Sequence, residues 1–143
     1  ATFNDITLDK VGTGFDLQAA HATPSATSGS FNVHTTFGLQ SGTTSLGSFN
    51  TDTNTVLTIQ NSGSATSGVI TVGLTELTGV GNWAMGTDNC DTTTVAAAGT
   101  CTIQVWFNGS TGTGGNVAST ADLTITTANG ASLTVSLDAT KIP

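Results

Sequence analysis

The sequence predicts an all-β chain folded as an antiparallel sandwich or barrel. Two observations carry that expectation. Apolar residues recur with a period of two, not 3.6, and Gly or Asn-Gly punctuation interrupts the runs throughout. Helix signals are nearly absent, because Val95–Ala98 is too short to form a stable helix.

Phe3–Leu8 reads as a short, imperfect strand, and Gly14–Ala19 as another with Phe15 and Leu17 on one face. His21–Gly29 is rich in Ser, Thr and Ala and contains Pro24, so it reads as a linker or loop. From Phe31 the alternation is cleaner. Phe31, Val33, Phe37 and Leu39 share one parity, with Asn32, His34 and Thr36 opposite. Leu57 and Ile59 alternate with Thr58 and Gln60 up to an Asn61-Ser62-Gly63 turn. Val69–Leu77 is the next strand and Trp83–Met85 a short one. Ile103, Val105 and Phe107 alternate with Thr102, Gln104 and Trp106; Leu123 and Ile125 form the next inward set, and Leu133, Val135 and Leu137 the last.

The last hairpin permits a sharper expectation. A two-residue Asn129-Gly130 loop would set Leu123 opposite Ser136 and throw the two apolar sets onto opposite faces. A three-residue Ala128-Asn129-Gly130 loop sets Leu123 against Val135 and Ile125 against Leu133. Its last residue must be left-handed, which suits Gly130. The three-residue loop is therefore expected.

The 143 residues fit one domain with an appended arm, divided as an N-terminal arm and linker over 1–29 and a sandwich over 30–143. Charged residues make up 8% of the chain, well below the ordinary globular share of about 25%. The net charge is −7, and Lys10 and Lys141 are the sole cations. Neither a phosphate backbone nor an anionic lipid face is an expected partner. No apolar run is long enough to span a bilayer. Ala1 at the first position reads as the start of a mature chain after signal-peptide removal, which makes the expected location extracellular or at the cell surface.

Several runs carry a family likeness: Val56-Leu57-Thr58-Ile59-Gln60-Asn61-Ser62-Gly63, Asn82-Trp83 ahead of Cys90, and Ala98-Gly99-Thr100-Cys101 running on through Phe107. Ala121-Asp122-Leu123-Thr124-Ile125 and Val135-Ser136-Leu137 complete the set. In order and spacing these residues resemble the choice-of-anchor D type of immunoglobulin-like domain of bacterial surface and secreted proteins, over about residues 37–138. The resemblance implies an immunoglobulin-like antiparallel β-sandwich with an N-terminal β arm, and it leaves function open. Trp106 stands where that family usually has a small polar residue, and Asn108-Gly109-Ser110 replaces a Pro-containing turn.

Cys90 and Cys101 lie eleven positions apart, and Cys101 has the inward parity of Ile103. In a secreted chain they are expected to form a disulfide, worth about 3 kcal/mol for a short loop. Val95 and Gly99 between them suggest a loop folded back over the sandwich end. A zinc site would need two more ligands, and His21 and His34 are not at metal spacing. Asn50, Asp52 and Asn54 alternate like the start of a calcium loop but lack its Gly and its closing acid, so a plain turn is the leading reading. Asp88 and Asp91, flanking Cys90, are a second weak cation candidate. Asn108-Gly109-Ser110 is a candidate glycosylation acceptor and equally a turn.

Catalysis has no visible support. No Gly-x-Ser-x-Gly elbow occurs, Glu76 is the single Glu, and His34 sits on the polar face of a strand. The expectation is a non-enzyme without cofactors. The leading function is a structural subunit of an extracellular filament, pilus-like, or of a surface layer, assembled with copies of itself by β-strand exchange. It rests on a single domain, a nearly uncharged surface and a strand-like N-terminal segment. Phe3, Ile6, Leu8, Phe15, Leu17 and the outward-pointing Trp106 are the subunit-interface candidates, since each large apolar side chain gains roughly 1.5–3 kcal/mol on burial. The arm either packs on its own sheet or completes a neighbour's sandwich, with Ala20–Gly29 as the hinge. Exchange is the leading form. The alternatives are an adhesion or glycan-binding module using Trp106 or Trp83, and a virion decoration or tail protein.

Overall fold

The computed structural model describes residues 12–20, 25–33, 35–79, 82–110, 116–128 and 130–143. Twelve strands follow in chain order: β1 (Gly12–Phe15), β2 (Gln18–Ala20), β3 (Ser25–Thr27), β4 (Phe31–Val33), β5 (Phe37–Ser41), β6 (Ser45–Phe49), β7 (Thr53–Asn61), β8 (Ile70–Thr78), β9 (Trp83–Asp88), β10 (Thr100–Phe107), β11 (Val117–Thr127) and β12 (Ser132–Lys141). Two four-stranded sheets, ordered β5-β7-β10-β9 and β6-β12-β11-β8, form the sandwich. That is the A-B-E-D and G-F-C arrangement of an immunoglobulin-like domain, with the first strand split so that its second half, β6, runs parallel to β12 on the other sheet.

Period-two alternation builds the core. Leu57 and Ile59 of β7 and Ile103, Val105 and Phe107 of β10 are fully buried, as are Leu123 and Ile125 of β11. Leu137 of β12 joins them at 1% exposure. Trp83 packs its ring on Phe107 with centroids 5.1 Å apart and donates its indole N–H to Ser119 Oγ at 2.8 Å, which ties the two sheets together at one end.

The final hairpin has the expected register. Leu123 faces Val135, Ile125 faces Leu133, and Gly130 has φ 87°. Gly130→Val should therefore lower stability by about 1–3 kcal/mol, because a β-branched residue strains that region. Urea unfolding measures it, and a loss under about 0.5 kcal/mol would count against the loop's backbone requirement.

At the end opposite the Trp83–Ser119 contact, Cys90 and Cys101 are disulfide-bonded with Cα atoms 5.2 Å apart. The loop they close folds back over the core as expected, with Val95 buried beneath it. Asn61 anchors this end. Fully buried, its Nδ2 lies within hydrogen-bonding distance of the carbonyls of Ala65 (2.8 Å), Val95 (2.9 Å) and Ala96 (3.2 Å), and its Oδ1 accepts from the Gly63 N–H at 3.0 Å. The same loop covers the start of β8: Ile70 N–H donates to the Thr93 carbonyl, Thr92 N–H donates to the Ile70 carbonyl, and Val72 N–H donates to Asp91 Oδ1.

The N-terminal segment differs from its sequence reading. Strand β1 pairs with β4 and, nested inside, β2 pairs with β3 in register Gln18↔Thr27, so residues 12–20 and 25–33 form an antiparallel ribbon. Within the stretch Ala20–Gly29, read as linker and hinge, Ser25–Thr27 forms the return strand β3. Its Ser, Ala and Thr residues gave no apolar alternation, yet backbone pairing needs none. Phe31–Val33 closes the ribbon, and the sheets begin only at Phe37. Among the described residues, no strand of the ribbon joins a ladder of either sheet. Phe3, Ile6, Leu8, His21, Pro24, His34 and Asn129 lie outside the described residues.

Candidate functional site

Among the described residues, three parts are open to a partner: the ribbon, the loop end near Asp52, and the outer faces of the sheets. On the ribbon Phe15 is half-buried and Leu17 is 39% exposed. The Leu17 carbonyl accepts from the Ser28 N–H at 2.9 Å and its own N–H donates to Ser28 Oγ at 2.9 Å, so the backbone is satisfied while the leucine side chain stays open to solvent.

The candidate cation residues Asp52, Asn54 and Asp88 are each engaged by hydrogen bonds within the chain. Asp52 Oδ1 accepts from the Ser110 hydroxyl at 2.6 Å and from its N–H at 3.0 Å. Those two hydrogen bonds, the hydroxyl's first, hold the exposed Asp52 carboxyl below its ordinary range. Asn54 Oδ1 accepts instead from Gln104 Nε2 at 3.2 Å, and Asn50 sits exposed at the bend before them. Asp88 Oδ1 likewise accepts the N–H groups of Cys90 (2.8 Å) and Asp91 (2.9 Å), capping the start of the disulfide loop. The Asn108-Gly109-Ser110 sequon forms a pinned turn: Asn108 N–H donates to the Asn82 carbonyl at 2.7 Å and the Ser110 hydroxyl is engaged by Asp52.

The two tryptophans part company. Trp83, considered above as an exposed binding residue, is 6% exposed and belongs to the core. Its position at the first residue of β9, opposite Phe107, turns it inward. Trp106 points outward as its parity requires, and it is half-buried. A Cβ at Gly86 would lie 2.7 Å from its Nε1 and 2.9 Å from its Cδ1, so the indole leans across β9 over the space that Gly86 leaves free. Beside it Val56, Thr87, Asn89, Thr102 and Gln104 line a shallow groove on the outer face of the first sheet. Sequence reading placed Gln104 beside Trp106 on the strand. It could not bring in Asn89 or Thr87, which arrive from β9 and the turn after it.

Among solved structures, the secreted serine protease VesC from Vibrio cholerae matches with TM-score 0.52 at 14% identity, over 75% of this chain. The chain spans 23% of VesC. The ASH / PapD-like domain of human CEP192 (PapD-like domain 7) matches with TM-score 0.50 at 14% identity, over 76% of this chain and 87% of that one. Both likenesses concern the fold: the chain is an immunoglobulin-like, PapD-like β-sandwich domain. No protein-family model and no curated protein matches it.

Proposed function

We propose that this chain is a non-catalytic structural module of an extracellular or cell-surface assembly, joined to further copies of itself through its N-terminal ribbon. The observation that carries the reading is a self-paired ribbon, bearing Phe15 and Leu17, that among the described residues joins neither sheet of a sandwich already closed by its own strands. Ala121 and Leu123 of β11 and Leu137 and Ala139 of β12 fill the core positions that an incoming strand would otherwise occupy. Addition therefore takes place at a sheet edge, where main-chain hydrogen bonds supply the affinity and alternate side chains the register. The disulfide supports an oxidising location. The low charge leaves little to desolvate when copies meet.

The test is sedimentation velocity on three proteins: the full chain, Leu17→Asp in the full chain, and a chain starting at residue 35. The full chain should form concentration-dependent assemblies. Leu17→Asp should weaken them about tenfold or more, a burial effect of the size of one leucine. The shortened chain should be a folded monomer. A full chain that stays monomeric, or a shortened chain that assembles as well as the full one, would refute the reading.

A further inference from the structure

The outward positions of β7 and β10 are Asn54, Val56, Thr58 and Gln60 on one strand and Thr100, Thr102, Gln104 and Trp106 on the other. None carries a charge in a protein whose net charge is −7. The outer face of the second sheet is different in kind, since Asp122 and Asp138 stand on it, held by the hydroxyls of Ser136 and Ser45 at 2.7 Å each. Among the described residues, the outward positions of β7 and β10 are thus neutral while the second sheet carries acids on its outer face.

That neutral face is also organised. Gln104 Nε2 donates to Asn54 Oδ1 at 3.2 Å, and its Oε1 is 3.4 Å from the Thr87 N–H. Asn89 Nδ2 donates to Thr102 Oγ1 at 2.9 Å. These contacts hold three amides and a hydroxyl in fixed orientations. They leave capacity over, because each amide has a second N–H and a second acceptor lone pair, and the Thr102 hydroxyl keeps its own hydrogen to donate. At one end the Trp106 indole leans over Gly86, a position where any side chain would push the ring away. Val56, 49% exposed, supplies an apolar floor between the amides.

We infer that this groove binds a neutral polysaccharide. Sugar rings present axial C–H bonds that pack on an indole face, and pairs of neighbouring hydroxyls that match an amide's adjacent donor and acceptor. An uncharged face costs a neutral polymer no desolvation of ions and offers an acidic one no counter-charge. A second copy of this chain is a poorer fit. Its interface would bury several amides around only two apolar side chains, whereas stable protein interfaces centre on a desolvated apolar core. The inference depends on the sheet face and not on the ribbon, so either reading can fail alone.

Affinity electrophoresis of the full chain tests it, in gels containing hydroxyethylcellulose, laminarin, xylan or mannan as neutral polymers, and alginate or polygalacturonate as acidic ones. At least one neutral polymer should retard the protein, and the acidic ones should not. Trp106→Ala and, separately, Gln104→Leu should each weaken that retardation by about tenfold, the loss of one stacked ring or one oriented amide. Leu17→Asp should leave it unchanged. Circular dichroism and an intact Cys90–Cys101 bond check the fold; should Trp106→Ala misfold, Gln104→Leu and Gly86→Val decide, since both act on the groove alone. No retardation by any neutral polymer, stronger retardation by an acidic one, or undiminished binding by the variants would overturn the inference. So would a self-association that Trp106→Ala abolishes.

Discussion

Asn61→Ala should destabilise the protein by about 3–5 kcal/mol, although the substitution removes only a small amide. The Asn61 side chain is the meeting point of two loops. Its Nδ2 faces the carbonyls of Ala65, Val95 and Ala96, and its Oδ1 receives the Gly63 N–H. The residue is wholly buried, so water cannot replace those partners without opening the end of the sandwich. Each buried backbone group left unpaired costs about 1–3 kcal/mol. The disulfide keeps the loop attached, so the variant should still fold, with faster hydrogen exchange at 62–69 and 91–99. Urea unfolding followed by tryptophan fluorescence gives the magnitude. A loss under about 1 kcal/mol would mean that the loops are held by the disulfide and Val95 alone.

Phe107→Ala should cost about 3–5 kcal/mol by the usual penalty for emptying a core aromatic site. Phe107 is fully buried at the end of β10, between the sheets and 5.1 Å from the Trp83 ring. Removing it also loosens Trp83, whose indole N–H bond to Ser119 depends on the ring's angle. Ser119 in turn donates to the Thr78 carbonyl at 3.0 Å, so the loss propagates to the end of β8. The near-ultraviolet signal of Trp83 should fall together with stability. A variant that loses less than about 2 kcal/mol and keeps that signal would place the cavity elsewhere. Against a total stability of about 5–15 kcal/mol for a domain of this kind, either variant should be visibly compromised at 37 °C.

Where alternation was strict, the sequence was a sufficient guide. Leu57, Ile59, Ile103, Val105, Leu123 and Ile125 all face the core, and matching two apolar sets across a turn was enough to reject the shorter Asn129-Gly130 loop. Cys101 sits inward because its strand does. Strand β6 escaped notice for a physical reason. Its apolar residues, Leu46 and Phe49, are three apart rather than two, Gly47 between them has φ 94°, and its partner β12 is distant in sequence and parallel. Strand β3 escaped because a ribbon held by its backbone leaves no apolar signature. Asn61 reads locally as the first residue of an Asn-Ser-Gly turn, which it is; that its amide also gathers the disulfide loop depends on chain segments more than thirty residues away. The groove beside Trp106 has the same origin, since its Asn89 and Thr87 come from another strand and its turn.

We propose that the sandwich is complete in itself and that the ribbon makes the contacts between copies. Hydrogen exchange of the full chain, below and above the concentration at which it assembles, addresses it most directly. Amides of β7, β10 and β11 should be equally protected in both conditions, whereas those of residues 12–33 should gain protection only on assembly. Ribbon amides protected to the same degree at every concentration, or sandwich amides that become protected only when copies meet, would contradict it.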